Sequence, residues 1–347
     1  WINAGEIPGN GIDDDGNGYV DDVYGYHNGA ISDPMDQNGH GTHCAGIIGA
    51  VGNNGIGVAG VNWNVKLMAL KGIGEDWLSV AAFDYAIAMG ATISNNSWGY
   101  DDFAYSDAMY DAIAAAQAAG HLFVAAAGND KNDNDGPNSA YPASYDLDNI
   151  ISVAATNPQD ALASFSNWGA TSVDLAAPGY NIYNTFAPQS YRSISGTSMA
   201  APHVTGVAAL LKSMFPQATA AQLKDAILAG ADPVPGLEGK VLTGGRLNAM
   251  GAYNVMASSA MIAGFRGNGT NKAGDILFNL AESELGAAVA FSAYDQPAAN
   301  RYALAIAGGT GVTVGNAAAV ADYVRLAGDS DGDAMPDWYE VAAGHNP

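Results

Sequence analysis

The chain has 347 residues, 48% of them hydrophobic, which is enough for one large packed domain and a small appendage. Its 12 basic and 35 acidic side chains give a formal net charge of −23, which argues against nucleic acid or an anionic membrane as partner. The single Cys44 rules out an internal disulfide, and no run of 18 apolar residues exists to span a bilayer.

In chain order, the sequence opens on Trp1-Ile2-Asn3 without a methionine or a signal peptide, and it reads as a mature or truncated piece. The first distinctive stretch is acidic, Asp13-Asp14-Asp15-Gly16-Asn17-Gly18-Tyr19-Val20-Asp21-Asp22. Oxygen donors fall at alternate positions: Asp13, Asp15, Asn17, the Tyr19 carbonyl, then Asp21 or Asp22. Gly18 stands where a calcium loop turns sharply, although no Glu follows at the twelfth position. Calcium is therefore the expected cofactor.

Next comes Asn38-Gly39-His40-Gly41-Thr42-His43-Cys44-Ala45-Gly46. After it, apolar runs alternate with helical patterns. Val65–Leu70 reads as a strand. Ser79–Met89 reads as a helix that stops at Gly90. Thr92–Trp98 is the next strand, and Ser106–Ala119 is an alanine-rich helix ending at Gly120. Leu122–Ala127 and Ile150–Ala155 are apolar without polar alternation, as expected of strands covered on both faces; Val173–Ala177 is a further candidate. Helices follow from Ser198 and over Thr219–Ala229. Strand and helix alternating at this spacing predict an α/β fold, a parallel sheet with helices on both faces.

Catalytic groups in such folds collect at the carboxyl ends of strands. Ser97-Trp98-Gly99 and Asn129 both follow strands. Ser195-Gly196-Thr197-Ser198-Met199-Ala200-Ala201-Pro202-His203 places a hydroxyl at the start of a helix, where unpaired N–H groups and the helix dipole favour negative charge. Pro202 is expected to be tolerated there because early helical N–H groups have no intrahelical partner.

The motifs around His40, Asn129 and Ser198, in that order, resemble the subtilisin-like serine peptidases over about residues 1–255. The resemblance implies that Ser198 is the nucleophile, His40 the general base and Asn129 a donor to the oxyanion. It implies that Ser97, Trp98 and Gly99 pair with extended substrate, and that Ala126, Ala127 and Gly128 wall the pocket for the residue before the scissile bond. Gly236–Met250 resembles the closing segment of that domain. The expected function is hydrolysis of peptide bonds in polypeptides by a secreted monomer, with cell-surface association left open. The rival is a non-catalytic module of the same fold that binds in a calcium-dependent way.

One part of the pattern has no counterpart. The family carries a catalytic Asp on its first strand, and no acid before His40 follows an apolar strand. Asp36 and Asp174 match structural positions. The reading is that the first strand has been cut off and that the isolated chain has an incomplete triad.

Beyond about residue 258 the resemblance ends. Residues 259–327 are expected to form a small β-rich or irregular appendage, with short apolar stretches at Ile276–Leu280, Ala288–Phe291 and Tyr302–Ile306. Residues 328–347 carry a second acidic loop with Asp329, Asp331, Asp333, Asp337 and Glu340 at calcium-loop positions 1, 3, 5, 9 and 12. Ala334 replaces the glycine expected at position 6.

Overall fold

A computed structural model describes residues 1–27, 33–72, 76–100, 104–266, 289–294, 301–306 and 312–314. The chain divides into two units, Trp1–Met256 and Ala257–Pro347. In the first, β1 (Gly25–His27) precedes α1 (His40–Gly49) and pairs in parallel with β2 (Ala69–Lys71). Then come α2 (Asp76–Ala88), β3 (Ile93–Asn96), α3 (Asp107–Ala118), β4 (Leu122–Ala126), β5 (Ile150–Thr156) and β6 (Leu175–Pro178). A hairpin follows, β7 (Ile182–Phe186) and β8 (Ser190–Ile194), then α4 (Thr197–Met214) and α5 (Ala220–Ala229). Two short strands, β9 (Asp232–Pro233) and β10 (Gly245–Arg246), lead to α6 (Ala249–Arg266).

The main sheet runs β3-β4-β5-β6-β10-β9. Every neighbouring pair is parallel except β10 with β9. The expected α/β architecture is therefore present. Strand β4 shows why its apolar run has no polar alternation. Leu122, Val124 and Ala126 pack against Val204, Leu211 and Ile227 of α4 and α5. The alternate residues Phe123 and Ala125 pack on the other face against Phe83 of α2 and Met109 and Ile113 of α3. Side chains alternate across a strand, so two cores need two apolar sets.

Helix ends follow local chemistry. Ser106 caps α3 by accepting from the Met109 N–H at 3.0 Å. Thr219 and Gln222 form a reciprocal capping box at the start of α5. The expected strand at Val65–Leu70 is shorter and shifted, because it pairs only with β1 and not within the main sheet. The hairpin β7–β8 was not expected; its side chains are mostly exposed or half-buried and carry no apolar alternation.

In the second unit the described strands β11 (Val289–Tyr294), β12 (Arg301–Ile306) and β13 (Val312–Val314) form an antiparallel sheet in that order. Ile276–Leu280 lies outside the described residues, as do Asp329, Asp331, Asp333, Asp337 and Glu340. Among the described residues no helix is long and apolar enough to cross a membrane.

Candidate active site

Ser198 is the second residue of α4, half-buried, at the end of the parallel sheet where β3 and β4 run out. Pro202 is not in the first turn as expected; it is the sixth residue of the helix. It therefore removes the N–H that would have closed a helical hydrogen bond on the Ser198 carbonyl. That carbonyl instead accepts from Ser97 Oγ at 2.8 Å and from Cys44 Sγ at 3.2 Å. Three elements thus meet on the Ser198 backbone.

Cys44 and His40 lie four residues apart on α1, so they share a face about 6 Å apart along the axis. Contact of Cys44 with the Ser198 backbone brings the His40 side of α1 to the start of α4. The Ser198 hydroxyl donates to the Ser97 carbonyl at 3.2 Å, and no hydrogen bond joins it to the His40 ring. Catalytic pairs are often longer than a hydrogen bond before substrate closes them. Among the described residues no carboxylate hydrogen-bonds the His40 ring. Burial, then the neighbouring His43, hold His40 below the ordinary histidine value, with Asp36 opposing them. The shift favours the neutral imidazole, the form a proton acceptor needs.

Asp36 organises the start of α1. Its carboxylate accepts from the N–H groups of Asn38 (2.8 Å), Gly39 (2.9 Å) and Thr42 (2.8 Å) and from Thr42 Oγ1 (2.7 Å). Burial works against its charge, but the Thr42 hydroxyl and these amides outweigh it and hold the group at about 2. Gly39 turns into the helix at φ 94°, and a Cβ there would lie 2.4 Å from the Phe186 ring on β7. Residue His43 is fully buried, with Nε2 against the Ile182 and Arg192 carbonyls at 3.0 and 3.1 Å. His203 Nδ1 meets the Met199 carbonyl at 2.8 Å. Both make structural hydrogen bonds. Cys44 packs with Ile47 and Met199, and burial pushes its thiol up to about 11.

Asn129 follows β4. Its Oδ1 accepts from the Thr197 N–H at 2.9 Å and from Thr197 Oγ1 at 3.1 Å. The amide oxygen is therefore occupied, and its Nδ2 is left as a donor. A Cβ built on Gly196 would lie 3.6 Å from the Ser198 nitrogen and 3.8 Å from Asn129 Nδ2. Asn129 Oδ1 is equally near that point, at 3.7 Å, so the whole carboxamide and the Ser198 nitrogen border Gly196. The loop that follows Asn129 is held by Asn167, a residue with no local motif around it. Asn167 Oδ1 accepts from the Asp130 and Asn132 N–H groups at 2.8 and 3.1 Å, and Asn167 Nδ2 donates to Asn134 Oδ1 at 3.1 Å. Gly128, at φ 111°, passes so close that a Cβ would meet Asn167 Nδ2 at 2.3 Å.

Ser97, Trp98 and Gly99 leave the end of β3. Ser97 Oγ is oriented by Asn95 Nδ2 at 2.9 Å. Neither Trp98 nor Gly99 has a backbone hydrogen-bond partner among the described residues, so this stretch is an open edge. Ala126 and Ala127 are buried in the sheet, whereas Gly128 is half-exposed at its end.

The acidic loop is arranged differently from the alternate-position reading. Glu6, Asp13 and Asp15 bring one carboxylate oxygen each within 4.8 Å of one another. Glu6 was missed because it lies outside the acidic run; only the fold brings it in. Asp21 donates its backbone N–H to Glu6 Oε2 at 3.1 Å, while its carboxylate accepts from the Asn10 and Gly11 N–H groups at 3.2 and 3.0 Å. Asp22 is fully buried and accepts from Asn3 (2.8 Å), Asn17 (3.0 Å) and the Tyr85 hydroxyl (2.5 Å). Asn17 gives its side-chain oxygen to the Tyr19 N–H at 2.8 Å.

Comparison with known proteins places the chain among proteases. "Subtilisin-like protease 1" of Plasmodium vivax is 35% identical over 282 residues, covering 74% of this chain and 44% of that protein. "Thermophilic serine proteinase" of Bacillus sp. (strain AK1) is 41% identical over 225 residues, covering 63% of this chain and 53% of that protein. The chain thus spans about half the length of these relatives. The solved structure of the prenylagaramide maturation protease PagA superposes with a TM-score of 0.55 at 29% identity, over 62% of this chain and 82% of that one. The profile described as "Subtilase family" matches residues 6–253. Shared sequence and fold lead to one conclusion: the chain belongs to the subtilase family.

Proposed function

We propose that this chain carries the nucleophile, general base and oxyanion donor of a serine endopeptidase acting on extended polypeptides, with an incomplete triad in the isolated chain. Ser198 Oγ attacks the peptide carbonyl while His40 takes its proton and later passes it to the leaving amine. The Ser198 N–H and Asn129 Nδ2 receive the negative charge that develops on the carbonyl oxygen. The open backbone at Trp98 and Gly99 pairs with substrate main chain, which gives affinity with little demand on sequence. The observation that carries this reading is the Thr197 pair on Asn129 Oδ1, which leaves a fixed amide donor beside the Ser198 N–H.

A fluorophosphonate probe tests it directly. The protein is expected to be labelled at Ser198, and Ser198→Ala is expected to abolish labelling. If the full-length protein does not react, the non-catalytic binding module becomes the better reading.

Calcium is part of the same proposal. Glu6, Asp13 and Asp15 supply hard oxygen donors, and three carboxylates that close together favour a divalent cation between them. Chelation is expected to lower the melting temperature, by an amount corresponding to about 2.7 kcal/mol if calcium had been present at 100 times its dissociation constant. Asp15→Asn should remove that dependence and Asp21→Asn should keep it. A melting temperature indifferent to chelator would exclude the site. Secretion and a monomeric state belong to this reading as well.

A further inference from the structure

We propose that Asp76 is a positioning residue for the substrate edge: its carboxylate ties together the Tyr100 and Ser106 hydroxyls and so sets where the Trp98-Gly99 backbone lies. This rests on the reading of residues 97–99 as the stretch that pairs with substrate.

Asp76 is the first residue of α2. Its Oδ1 accepts from the Tyr100 hydroxyl and its Oδ2 from Ser106 Oγ at 2.7 Å. Ser106 is the N-cap of α3. One carboxylate therefore stands at the N-termini of two helices, where both dipoles favour a negative charge. It holds Tyr100, the residue after Gly99, and Ser106, the residue before α3.

The rest of that segment is pinned independently. Ser97 Oγ is fixed on the Ser198 carbonyl. Tyr100 N–H donates to the Tyr141 carbonyl at 2.9 Å, and the Tyr100 ring meets Trp98 edge-on at 5.7 Å. Ser106 N–H donates to the Tyr145 hydroxyl at 3.1 Å, which in turn donates to the Ser106 carbonyl at 2.9 Å. Trp98 and Gly99 lie between the Ser97 anchor and the Tyr100 anchor, with no backbone partner among the described residues to hold them. Their placement therefore depends on those two ends. Burial, then the Asp76 carboxylate, push the Tyr100 hydroxyl up, so it remains a donor at any working pH.

The consequence is selective. Loss of the Asp76–Tyr100 bond loosens the edge without touching His40, Asn129 or Ser198. A substrate with several residues before the scissile bond uses the edge; a single-residue ester does not. Asp76→Ala and Tyr100→Phe are each expected to raise KM for a four-residue peptide substrate about tenfold, with kcat within about twofold. Their kcat/KM on the ester should be unchanged. The double variant should be no worse than the worse single one, because both remove the same bond. Asp76→Asn, which still accepts from Tyr100, should recover most of the affinity. Asp84→Asn, exposed on the same helix, serves as a control for charge. Ser106→Ala is expected to cost thermal stability through the α3 cap.

Binding of an uncleaved four-residue peptide to the Ser198→Ala protein, measured by calorimetry, separates the two ideas. About tenfold weaker binding on adding Asp76→Ala supports the positioning role even if the unmodified protein proves unreactive toward fluorophosphonate. Equal losses on ester and peptide, additive effects of Asp76→Ala and Tyr100→Phe, or peptide binding that ignores Asp76 would overturn it.

Discussion

At the scale of single residues, the site is governed by which polar atoms are already engaged. Asn129 has one carboxamide oxygen and it is taken by Thr197, so its nitrogen is the end left for chemistry. Asn129→Ala is expected to lower kcat by about 10²–10³ with a small change in KM, a loss of about 2.7–4 kcal/mol. That magnitude is the known cost of removing such a donor in a subtilisin and is not obtained from this geometry. Steady-state kinetics with a peptide substrate checks it, and an unchanged kcat would remove Asn129 from the oxyanion role. Pro202 acts by the opposite logic: by lacking an N–H it leaves the Ser198 carbonyl to Ser97 and Cys44. The sequence shows the proline, but only the helix start at Thr197 reveals which carbonyl it releases.

At the scale of elements, α1 is placed by its entry. Asp36 caps the helix in the absence of a side-chain cap at Gly39, and Gly39 sits at φ 94° against Phe186. An alanine at that position would combine an unfavourable backbone region with a clash on a ring that belongs to β7. Gly39→Ala is expected to cost about 1–3 kcal/mol of stability and to lower activity through the adjacent His40. Urea unfolding reads the first effect and fluorophosphonate labelling rate the second. A second glycine on α1 serves the same packing: a Cβ on Gly46 would lie 2.0 Å from Thr185 Oγ1 of β7. The hairpin is thus held by α1 although its own sequence has no strand signature.

At the scale of the whole molecule, a buried histidine links stability to pH. His121 is 1% exposed; its Nδ1 faces the Ala91 carbonyl at 2.8 Å and its Nε2 the Ser94 hydroxyl at 2.9 Å. Burial pulls it down to about 4, against the pull of the Ala91 hydrogen bond. Its neutral form belongs to the folded state. As pH falls below the unfolded value of about 6.5, the unfolded chain takes up a proton that the folded one refuses. Stability contributed by this residue is complete above about 6.5 and declines until the folded group also protonates near 4. The difference amounts to about 3 kcal/mol. Melting temperature measured from pH 7 to pH 4 should therefore fall more steeply for the unmodified protein than for His121→Asn. Parallel curves would show that another group governs the acid limb.

Much of this protein was legible in its sequence. The apolar runs at 122–127 and 150–155, the second broken only by Ser152, announce strands covered on both sides, because each face needs its own apolar set. Ser106 and Thr219 announce helix starts, because capping is local chemistry. His40, Asn129 and Ser198 are visible because their motifs are contiguous. Tertiary structure alone decided the rest. It brought Glu6 to Asp13 and Asp15, and turned Asp21 and Asp22 to other partners. It set Asn167 against the loop that follows Asn129 and Asp76 beside Tyr100. A hydrogen bond between residues tens of positions apart has no local signature; it exists only once packing has fixed both backbones.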